Sequence, residues 1–327
     1  MKNAMKNKKV LFITTKNLDY IRNTQEIDII KEVAESYKII GSNSKSYIKR
    51  IAYVYFNILK TNFKNYNIVF VGFSPQLIIP FWKWKMKKNK VIIDFFISMY
   101  DTFAFDRKKV KPKSIIGKLL KKIDITTIKR ADMVISDTKA HGKYFEDEFG
   151  LQSNKLEVLY LEANTDIYYP MEVSKPEEYK NKFIVLYFGS ILPLQGIDVV
   201  LETIEKLKNN KDIHFYMIGP ISEKYKKIES DTVTYIDWLP QEKLANYIAF
   251  SDLCLAGHFN IESGKANRTI PGKAYIYRAM NKPMILGDNF ATRELYSEDM
   301  EGIYFCEMGN SNKLADEILK IKEESII

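Results

Sequence analysis

Short apolar runs rich in β-branched residues alternate with longer amphipathic stretches along most of the chain. This alternation is typical of parallel β-strands joined by crossover helices, so it predicts an α/β fold. A polar stretch with two prolines, from Asp166 to Lys182, divides the pattern into two series. In the first series we expect strands at residues 9–14, 37–40, 68–71, 91–95, 133–136 and 156–159, and helices at 24–36, 47–61, 76–88, 114–129 and 139–149.

The second series repeats the same alternation. It predicts strands at residues 183–188, 213–218, 233–236, 253–256, 284–286 and 303–305, and helices at 197–209, 241–250, 272–280, 292–296 and 312–323. We therefore expect a Rossmann-like domain over residues 1–167, a linker over 168–182, a second Rossmann-like domain over 183–310 and a C-terminal helix over 311–327. Ligands of parallel sheets bind at the carboxyl ends of the strands, so the two domains are expected to face each other across a binding cleft.

Composition limits the chemistry that the chain can carry. Hydrophobic residues make up 46% and charged residues 28% of the 327, which is an ordinary balance for a globular protein. Two cysteines and three histidines exclude a disulfide scaffold and a histidine-rich metal site, and we expect a reduced, cytoplasmic protein. The polar first nine residues and the longest apolar tract, Ile68–Trp82, which Ser74 interrupts, predict neither a secretion signal nor a membrane span.

Charge is distributed unevenly along the chain. Residues 1–170 hold 31 Lys and Arg against 17 Asp and Glu, whereas residues 171–327 hold 19 against 24. We therefore expect the first half to face an anionic partner, such as a membrane surface, a phosphorylated acceptor or a nucleic acid. No recognisable nucleic-acid motif accompanies the charge, so a nucleic-acid partner is not expected.

Two segments of the second half place glycine directly after a predicted strand. In Leu186–Ile204 a strand is followed by Gly189, Ser190 and a helix, and the segment Phe215–Pro220 ends in Gly219 and Pro220. A helix amino end beside a tight glycine turn presents free backbone N–H groups, which suits a phosphate. Glycine in such a turn also serves packing, so this signal alone is weak.

A third segment, His258–Leu295, gathers cations in an otherwise acidic half. Lys265, Arg268 and Lys273 lie before and within a helix that is predicted to begin at Pro271, since proline favours the first helical turn. Three cations at a helix amino end could hold a diphosphate and stabilise it as a leaving group. A solvated basic loop is the alternative.

These segments resemble the donor domain of a GT-B glycosyltransferase and are most similar to the family 4-like group (glycosyl transferases group 1) used in bacterial surface polysaccharide synthesis. The first domain resembles that group more weakly. The resemblance implies a hexosyltransferase-type enzyme that moves a sugar from a nucleotide diphosphate-sugar to a glycan or lipid-linked acceptor, with retention and without a cofactor. The motifs that carry it are Gly189–Asp198, Ile218–Pro220, Val233–Leu239, Lys282–Ile285 and Arg293–Leu295, with Ala131–Thr138 and Lys155–Pro170 in the first domain.

The chain departs from the family pattern at four positions. The family has an arginine and a lysine on the diphosphate where this chain has Ser190 and Gln195, and two glutamates where it has Arg268 and Ile276. The segment Lys265–Lys273 resembles a subgroup pattern, K-A-x-R-x-I-P-x-K. This resemblance implies that the cations of the segment replace the missing pair on the diphosphate.

The resemblance thus implies a set of donor-binding residues. Arg268 and Lys273 are expected to stabilise the leaving group and are therefore assigned as catalytic, and Glu262 or Glu294 is expected on a sugar or ribose hydroxyl. The whole expected donor set is Gly189, Ser190, Gly219, Pro220, Trp238, His258, Glu262, Lys265, Arg268, Lys273 and Glu294.

The expected acceptor side lies on loops that follow strands of the first domain. Asp101, Thr102 and Arg107 follow the strand at 91–95 in a predicted polar loop, and Asn17 and Tyr20 follow the first strand. A carboxylate within hydrogen-bonding distance of an acceptor hydroxyl could act as a general base, so Asp101 is a catalytic candidate. The alternative is that Asp101 caps the following turn.

Aromatic and basic residues also mix in the first half. Phe81, Trp82 and Trp84 are interleaved with five lysines within residues 80–90, and residues 108–130 add nine Lys and Arg against one acidic residue. Amphipathic aromatics beside lysines favour the headgroup region of an anionic leaflet, so we expect a peripheral protein on the inner face of the plasma membrane. A buried tryptophan pair beside a solvated helix is the alternative.

No D-x-D triplet occurs, so metal-independent transfer is expected. Two other functions fit the same fold. A catalytically degenerate GT-B partner subunit, which would bind an active transferase or a glycan, is favoured by Ser190, Gln195 and Ile276. A sugar-nucleotide epimerase would need more acidic and histidine side chains than the chain offers. Nucleotide binding discriminates between a transferase and a degenerate partner.

Overall fold

The computed structural model describes residues 1–190 and 192–325, and the chain divides into two compact units, Met1–Leu161 and Glu162–Ile327. Each unit contains a six-stranded parallel sheet with flanking helices, which confirms the α/β class. All twelve predicted strands are confirmed to within one residue at each end. The first unit holds 31 Lys and Arg against 15 Asp and Glu, and the second holds 19 against 26.

The first sheet has the strand order β2-β1-β3-β4-β5-β6, which is the flavodoxin-like order extended by one strand. Its order reverses between β1 and β3, so the switch point where ligands bind lies at their carboxyl ends. The strands are β1 Lys9–Ile13, β2 Ser36–Ile40, β3 Ile68–Val71, β4 Lys90–Asp94, β5 Met133–Ser136 and β6 Leu156–Val158. The helices are α1 Lys2–Met5, α2 Ile21–Val33, α3 Tyr47–Lys60, α4 Ile79–Trp82, α5 Met99–Asp101, α6 Ile115–Lys129 and α7 Lys139–Phe149.

Helices cover both faces of the first sheet, which explains why its central strands are apolar at almost every position. One buried core joins the sheet to α3, α4, α6 and α7, and another joins it to α2 and the N-terminal α1. Side-chain caps set several helix starts: Ser46, Ser114 and Thr138 each accept a backbone N–H three residues ahead.

The predicted helix at 76–88 is wrong as a continuous element. The segment forms a 3₁₀ turn at Pro75–Leu77, the short α4, and a second 3₁₀ turn at Lys83–Met86. Proline lacks a backbone N–H and is tolerated only in a first helical turn. Pro75 and Pro80 each occupy a first turn, so the chain starts a new short element at each of them.

The second sheet has the strand order β12-β11-β10-β7-β8-β9, which is the Rossmann order counted within the unit. The strands are β7 Phe183–Phe188, β8 Ile213–Ile218, β9 Val233–Ile236, β10 Leu253–Gly257, β11 Met284–Gly287 and β12 Ile303–Cys306. The helices are α8 Ile197–Leu207, α9 Gln241–Phe250, α10 Gly272–Ala279 and α11 Ser311–Glu324. The predicted helix at 292–296 is only a 3₁₀ turn, Thr292–Glu294, and the last two residues of the expected C-terminal helix, 326 and 327, lie outside the described residues.

Candidate active site

Two glycine turns meet at the carboxyl edge of the second sheet. Gly189 follows β7 with φ +139° and its N–H donates to the Ile218 carbonyl at 2.9 Å; Gly219 follows β8 with φ +134° and donates to the Ile236 carbonyl at 2.8 Å. A Cβ on Gly219 would strike the carbonyl oxygen of Gly189. The two predicted turns therefore pack backbone against backbone, and only glycine fits at position 219.

The order of the second sheet reverses between β7 and β10, and the segments that follow these two strands are joined directly. The Phe259 N–H donates to the Gln195 carbonyl at 3.2 Å, and the Asn260 side chain donates to the Pro193 carbonyl at 2.7 Å. Gly196 has φ +67°, and a Cβ there would lie 2.6 Å from the Phe259 carbonyl carbon. The turn that precedes α8 is thus held against the segment that follows β10.

Lys273, in the first turn of α10, is only 5% exposed. Its Nζ donates to Gln195 Oε1 at 2.7 Å and lies 3.8 Å from the centroid of the Tyr187 ring. A Cβ on Gly189 would lie 3.7 Å from the same Nζ, so the ammonium faces the first glycine turn. Burial lowers the pKa of Lys273 well below its ordinary value of 10.5. Among residues 1–190 and 192–325, Lys273 has no carboxylate partner within ion-pair distance.

His258 is buried directly after β10. Its Nδ1–H donates to the Thr269 carbonyl at 3.2 Å, so the histidine fixes the loop between β10 and α10. Burial, assisted by the charge of Lys273, lowers the pKa of His258 to about 3. The imidazole is therefore neutral at physiological pH, and the positive charge of this edge comes from lysine and arginine.

The other expected donor residues lie around this edge with different exposure. Lys265 and Arg268 are half-buried in the loop, where the Arg268 N–H donates to the Lys265 carbonyl at 3.0 Å. The Ala291 N–H donates to the Asn267 carbonyl at 3.3 Å, which ties the loop to the 3₁₀ turn that carries the half-buried Glu294. The exposed members of the expected set are Ser190, Pro220, Trp238 and Glu262.

On the first unit, the structure buries Asp101, which is 2% exposed. The predicted polar loop here is wrong, because α5 and a π-helical turn, Thr102–Asp106, occupy it. The cause lies on α6, where the buried Asp124 accepts hydrogen bonds from the Ser98 hydroxyl and the Tyr100 N–H and so fixes the start of α5. The Ser98 side chain caps α5 by accepting a hydrogen bond from the Asp101 N–H. The Asp101 side chain instead accepts from the Tyr144 hydroxyl, at 3.4 Å from Oδ1. Thr102 is half-buried in the turn and Arg107 is exposed after it.

Asn17 and Tyr20 lie near the switch point of the first sheet. The Asn17 carbonyl accepts from the Asn23 side chain at 2.6 Å. The Tyr20 ring packs edge-on against Phe73, with centroids 5.5 Å apart, and stacks on Phe96 at 6.4 Å. Burial raises the pKa of the Tyr20 hydroxyl to about 12, so it is protonated at physiological pH.

A buried charged cluster, which the sequence did not reveal, lies at the carboxyl edge of the same sheet. Arg22 donates through Nε and Nη2 to the two oxygens of Asp94, at 3.1 and 2.9 Å, and lies 3.7 Å from Glu26. Nearby, His141 Nδ1 lies 2.6 Å from Asp137 Oδ1. Burial and the neighbouring Asp94 raise the pKa of Glu26 well above its ordinary value. Arg22 and Glu26 share α2, whereas Asp94 and His141 are distant in sequence and are brought to this edge by the sheet topology.

Only part of the aromatic cluster that was expected on the surface is exposed. Phe81 and Trp84 are each 60% exposed, whereas Trp82 is 9% exposed and packs edge-on against Tyr55 in the core, so the expectation that Trp82 lies on the surface is wrong. The Lys85 ammonium donates to the Ile58 carbonyl at 2.8 Å, which fixes this segment against the end of α3. Further exposed apolar side chains lie on α3 and α6, at Ile48, Tyr53, Phe56, Leu59, Ile115, Ile116 and Leu119. In the described part of the chain, no helix is long and apolar enough to span a bilayer.

Comparison with known proteins relates parts of this chain to glycosyltransferases. Residues 182–324 match the family Glycosyl transferases group 1. An uncharacterized 41.2 kDa protein in the cps region of Klebsiella pneumoniae is 26% identical over 236 residues, which cover 69% of this chain and 63% of that protein. The probable glycosyltransferase WbjE of Pseudomonas aeruginosa is 29% identical over 113 residues, or 33% of this chain and 28% of WbjE. The chain therefore spans less than two thirds of the length of either relative.

The crystal structure of Anabaena Alr3699/HepE in complex with UDP has a TM-score of 0.68 with this chain at 12% identity, covering 97% of this chain and 90% of the other. The chain thus has the fold of the GT-B glycosyltransferases, as its two parallel β/α units indicate. The residues that match the group 1 glycosyltransferase family, 182–324, all lie in the second unit. The fold that the sequence motifs imply is confirmed, and the family match over residues 182–324 agrees with the resemblance of those motifs.

Proposed function

We propose that the chain transfers a sugar from a nucleotide diphosphate-sugar to a glycan or lipid-linked acceptor in bacterial surface polysaccharide synthesis, without a metal ion and with retention. The observation that carries the proposal is Lys273, a buried ammonium that lies at the switch point of a Rossmann-ordered sheet and has no carboxylate partner among residues 1–190 and 192–325. The match to HepE, whose structure contains UDP, and the match to a protein of a cps region support it.

The physical argument concerns where the charge of Lys273 is compensated. A buried charge is costly unless it is paired. At this edge two helices, α8 and α10, also begin, and helix amino ends carry free N–H groups and a partial positive charge. A diphosphate bound here would accept hydrogen bonds from Lys273 and from the helix ends, and the same groups would stabilise it as a leaving group.

In the proposed site the half-buried Arg268 and Lys265 add charge from the loop, and Glu294 or Glu262 holds a sugar or ribose hydroxyl. Asp101 receives no role as a base, because it is buried beneath Tyr144. Since the protein supplies the cations, we expect nucleotide binding and sugar transfer to persist in the presence of EDTA.

The proposal is tested by thermal unfolding with UDP, GDP, CDP, ADP and dTDP. A nucleotide at about 100 times its dissociation constant adds about 2.7 kcal/mol to the free energy of unfolding, a shift of several degrees. We expect one nucleotide to give this shift, and Lys273→Ala and Arg268→Ala to reduce it. Lys282→Ala is the control, because Lys282 is a half-buried lysine of the same unit whose ammonium donates to the Ala249 carbonyl at 2.9 Å. No shift with any of the five would contradict the proposal and favour the degenerate partner.

We further propose that the first unit docks reversibly on an anionic membrane surface. The exposed Phe81 and Trp84 lie among lysines, and α3, α4 and α6 pack on one core, so the exposed apolar side chains of these helices belong to one face of the sheet. Apolar insertion combined with cationic attraction is the usual basis of such docking, and each Lys or Arg near the surface adds about 1 kcal/mol.

Co-sedimentation with vesicles tests the docking. We expect binding to vesicles that contain phosphatidylglycerol and little binding to pure phosphatidylcholine, because the first unit is strongly basic. The double variant Phe81→Ser, Trp84→Ser should weaken binding severalfold. Phe290→Ser, which removes an 80% exposed ring from the acidic second unit, is the control and should have no effect. Equal binding to both kinds of vesicle would contradict the electrostatic part of the proposal.

A further inference from the structure

Two uncharged groups hold the Lys273 ammonium. The Gln195 amide oxygen accepts its hydrogen bond at 2.7 Å, and the Tyr187 ring lies beneath it at 3.8 Å from the ring centroid. Tyr187 lies in β7 and Gln195 in the 3₁₀ turn that follows it, whereas Lys273 lies on α10, 78 positions after Gln195. The contact therefore depends on the tertiary fold.

The backbone of Gln195 is itself fixed on both sides. Its N–H donates to the Leu192 carbonyl at 3.0 Å, and its carbonyl accepts from the Phe259 N–H at 3.2 Å. Gln195 also ends a 3₁₀ turn that begins at Pro193. The side chain consequently leaves a rigid turn, and its amide oxygen reaches Lys273 without a flexible segment between them.

An amide and an aromatic ring orient a cation in a different way from a carboxylate. A carboxylate would form an ion pair and cancel most of the field of the ammonium, whereas an amide oxygen accepts one hydrogen bond and leaves the net charge. The face of an aromatic ring attracts a cation through its quadrupole and likewise adds no opposite charge. A tyrosine ring and a glutamine thus stabilise the position of Lys273 while its charge stays available.

We propose that Gln195 and Tyr187 are positioning residues that hold the Lys273 ammonium toward the Gly189 turn without neutralising it, so that its charge meets the diphosphate of the donor. The inference rests on the proposed function, since it specifies how the cation of that site is oriented. Neither residue needs to contact the donor, and both act through Lys273.

Charge replacement at position 195 gives the sharpest test. We measure affinity by isothermal titration calorimetry with whichever of UDP, GDP, CDP, ADP and dTDP binds the wild-type protein most tightly, and stability by urea denaturation. Gln195→Glu should weaken nucleotide binding at least about tenfold more than Gln195→Ala, because the new carboxylate pairs with Lys273. The same variant should be at least as stable as the wild type, because the buried ammonium gains a partner. Damage to the fold alone would lower both quantities together.

Substitutions of Tyr187 separate the contribution of its ring from that of its hydroxyl. Tyr187→Phe keeps the ring face and should bind the nucleotide within about twofold of the wild type, whereas Tyr187→Leu removes the cation–ring contact and should weaken binding several-fold. The affinity of Gln195→Glu should also fall less steeply with rising pH than that of the wild type, since an ion pair raises the pKa of Lys273.

The outcomes separate this inference from the proposed function. If the wild type binds none of the five nucleotides, the proposed function itself fails. If the wild type binds one of them but Gln195→Glu and Gln195→Ala weaken binding equally, or Tyr187→Phe weakens it as much as Tyr187→Leu, the donor site stands and the positioning role is overturned.

Discussion

Each sheet of this protein has a buried cation at its carboxyl edge, and the two cations have opposite surroundings. On the first sheet, Arg22 forms two hydrogen bonds with Asp94, whose carboxylate compensates its charge, and lies 3.7 Å from Glu26. On the second sheet, Lys273 is nearly as buried, but an amide and an aromatic ring hold it. The two cations are thus buried to a similar degree, but only the charge of Arg22 is compensated by a carboxylate.

The difference indicates what each cation can do. The charge of Arg22 is compensated by the carboxylate of Asp94, so the role of this pair is to join α2 to β4. The charge of a buried lysine that lacks a carboxylate partner is uncompensated, and an anion that enters the site supplies the missing partner. Perturbed titratable groups occur in both structural networks and functional sites, and here the charge balance separates the two cases.

Removal of Arg22 should have the largest effect on stability. Arg22→Met leaves Asp94 buried without its partner, so we expect the free energy of unfolding to fall by about 3–5 kcal/mol. Urea denaturation followed by circular dichroism measures this loss. Arg107→Met, at an exposed position, is the control and should change stability little. An unchanged denaturation midpoint for Arg22→Met would show that the Arg22–Asp94 pair does not stabilise the fold.

The equivalent change at the second sheet should have the opposite sign. Lys273→Met replaces an uncompensated ammonium with an apolar chain of similar length, so the free energy of unfolding should rise by about 1–3 kcal/mol while nucleotide affinity falls. The same denaturation assay, without nucleotide, checks the sign. A marked loss of stability would show that Lys273 supports the fold as Arg22 does.

The pH dependence of stability should also differ between wild type and Lys273→Met. The pKa of Lys273 is lower in the folded protein than its ordinary value of 10.5, so between these two values the unfolded chain binds more protons and stability rises with pH. The wild type should therefore gain up to about 1.4 kcal/mol per pH unit relative to the variant in that range. Nucleotide affinity should fall over the same range, because it requires the charged lysine. Parallel stability curves would contradict the assignment.

The smallest expected effect concerns Glu26. Because the pKa of this carboxyl is raised in the folded state, stability should fall as the pH rises through that raised value. Glu26→Gln should abolish this dependence and change the stability at neutral pH by about 1 kcal/mol or less. Asp94→Asn is the matched control and should cost more, since Asp94 makes both hydrogen bonds to Arg22. Similar losses for both variants would mean that Glu26 is charged beside Arg22.

The fold could be predicted well because its signals are local. Strands buried on both faces are continuous apolar runs, and β7, β8 and β9 coincide with their predicted bounds. Glycine turns after strands and a proline before α10 are similarly local signals, and they indicated where the proposed donor site lies. The predicted helix at 76–88 was wrong because prolines interrupt the helical pattern. The predicted loop at 101–107 was wrong because Asp124, distant in sequence, fixes a helical turn there.

The site itself could be predicted only in part, because its contacts join distant positions. Lys273 was found as a cation near a helix start, and Gln195 as a departure from a family pattern, but their hydrogen bond crosses 78 positions. The Arg22–Asp94 pair crosses 72. The burial of Trp82 beside the exposed Trp84 likewise depends on the packing of Tyr55 from α3, which a linear pattern does not show.

The backbone contact between Gly189 and Gly219 has a consequence for engineering the second unit of this protein. Because no side chain fits at position 219, a saturation library at that codon should return glycine alone among folded clones. A loop transplanted from a different protein in place of either turn would also lose the surface that it packs against. A graft that aims to change the proposed nucleotide site should therefore replace both turns together.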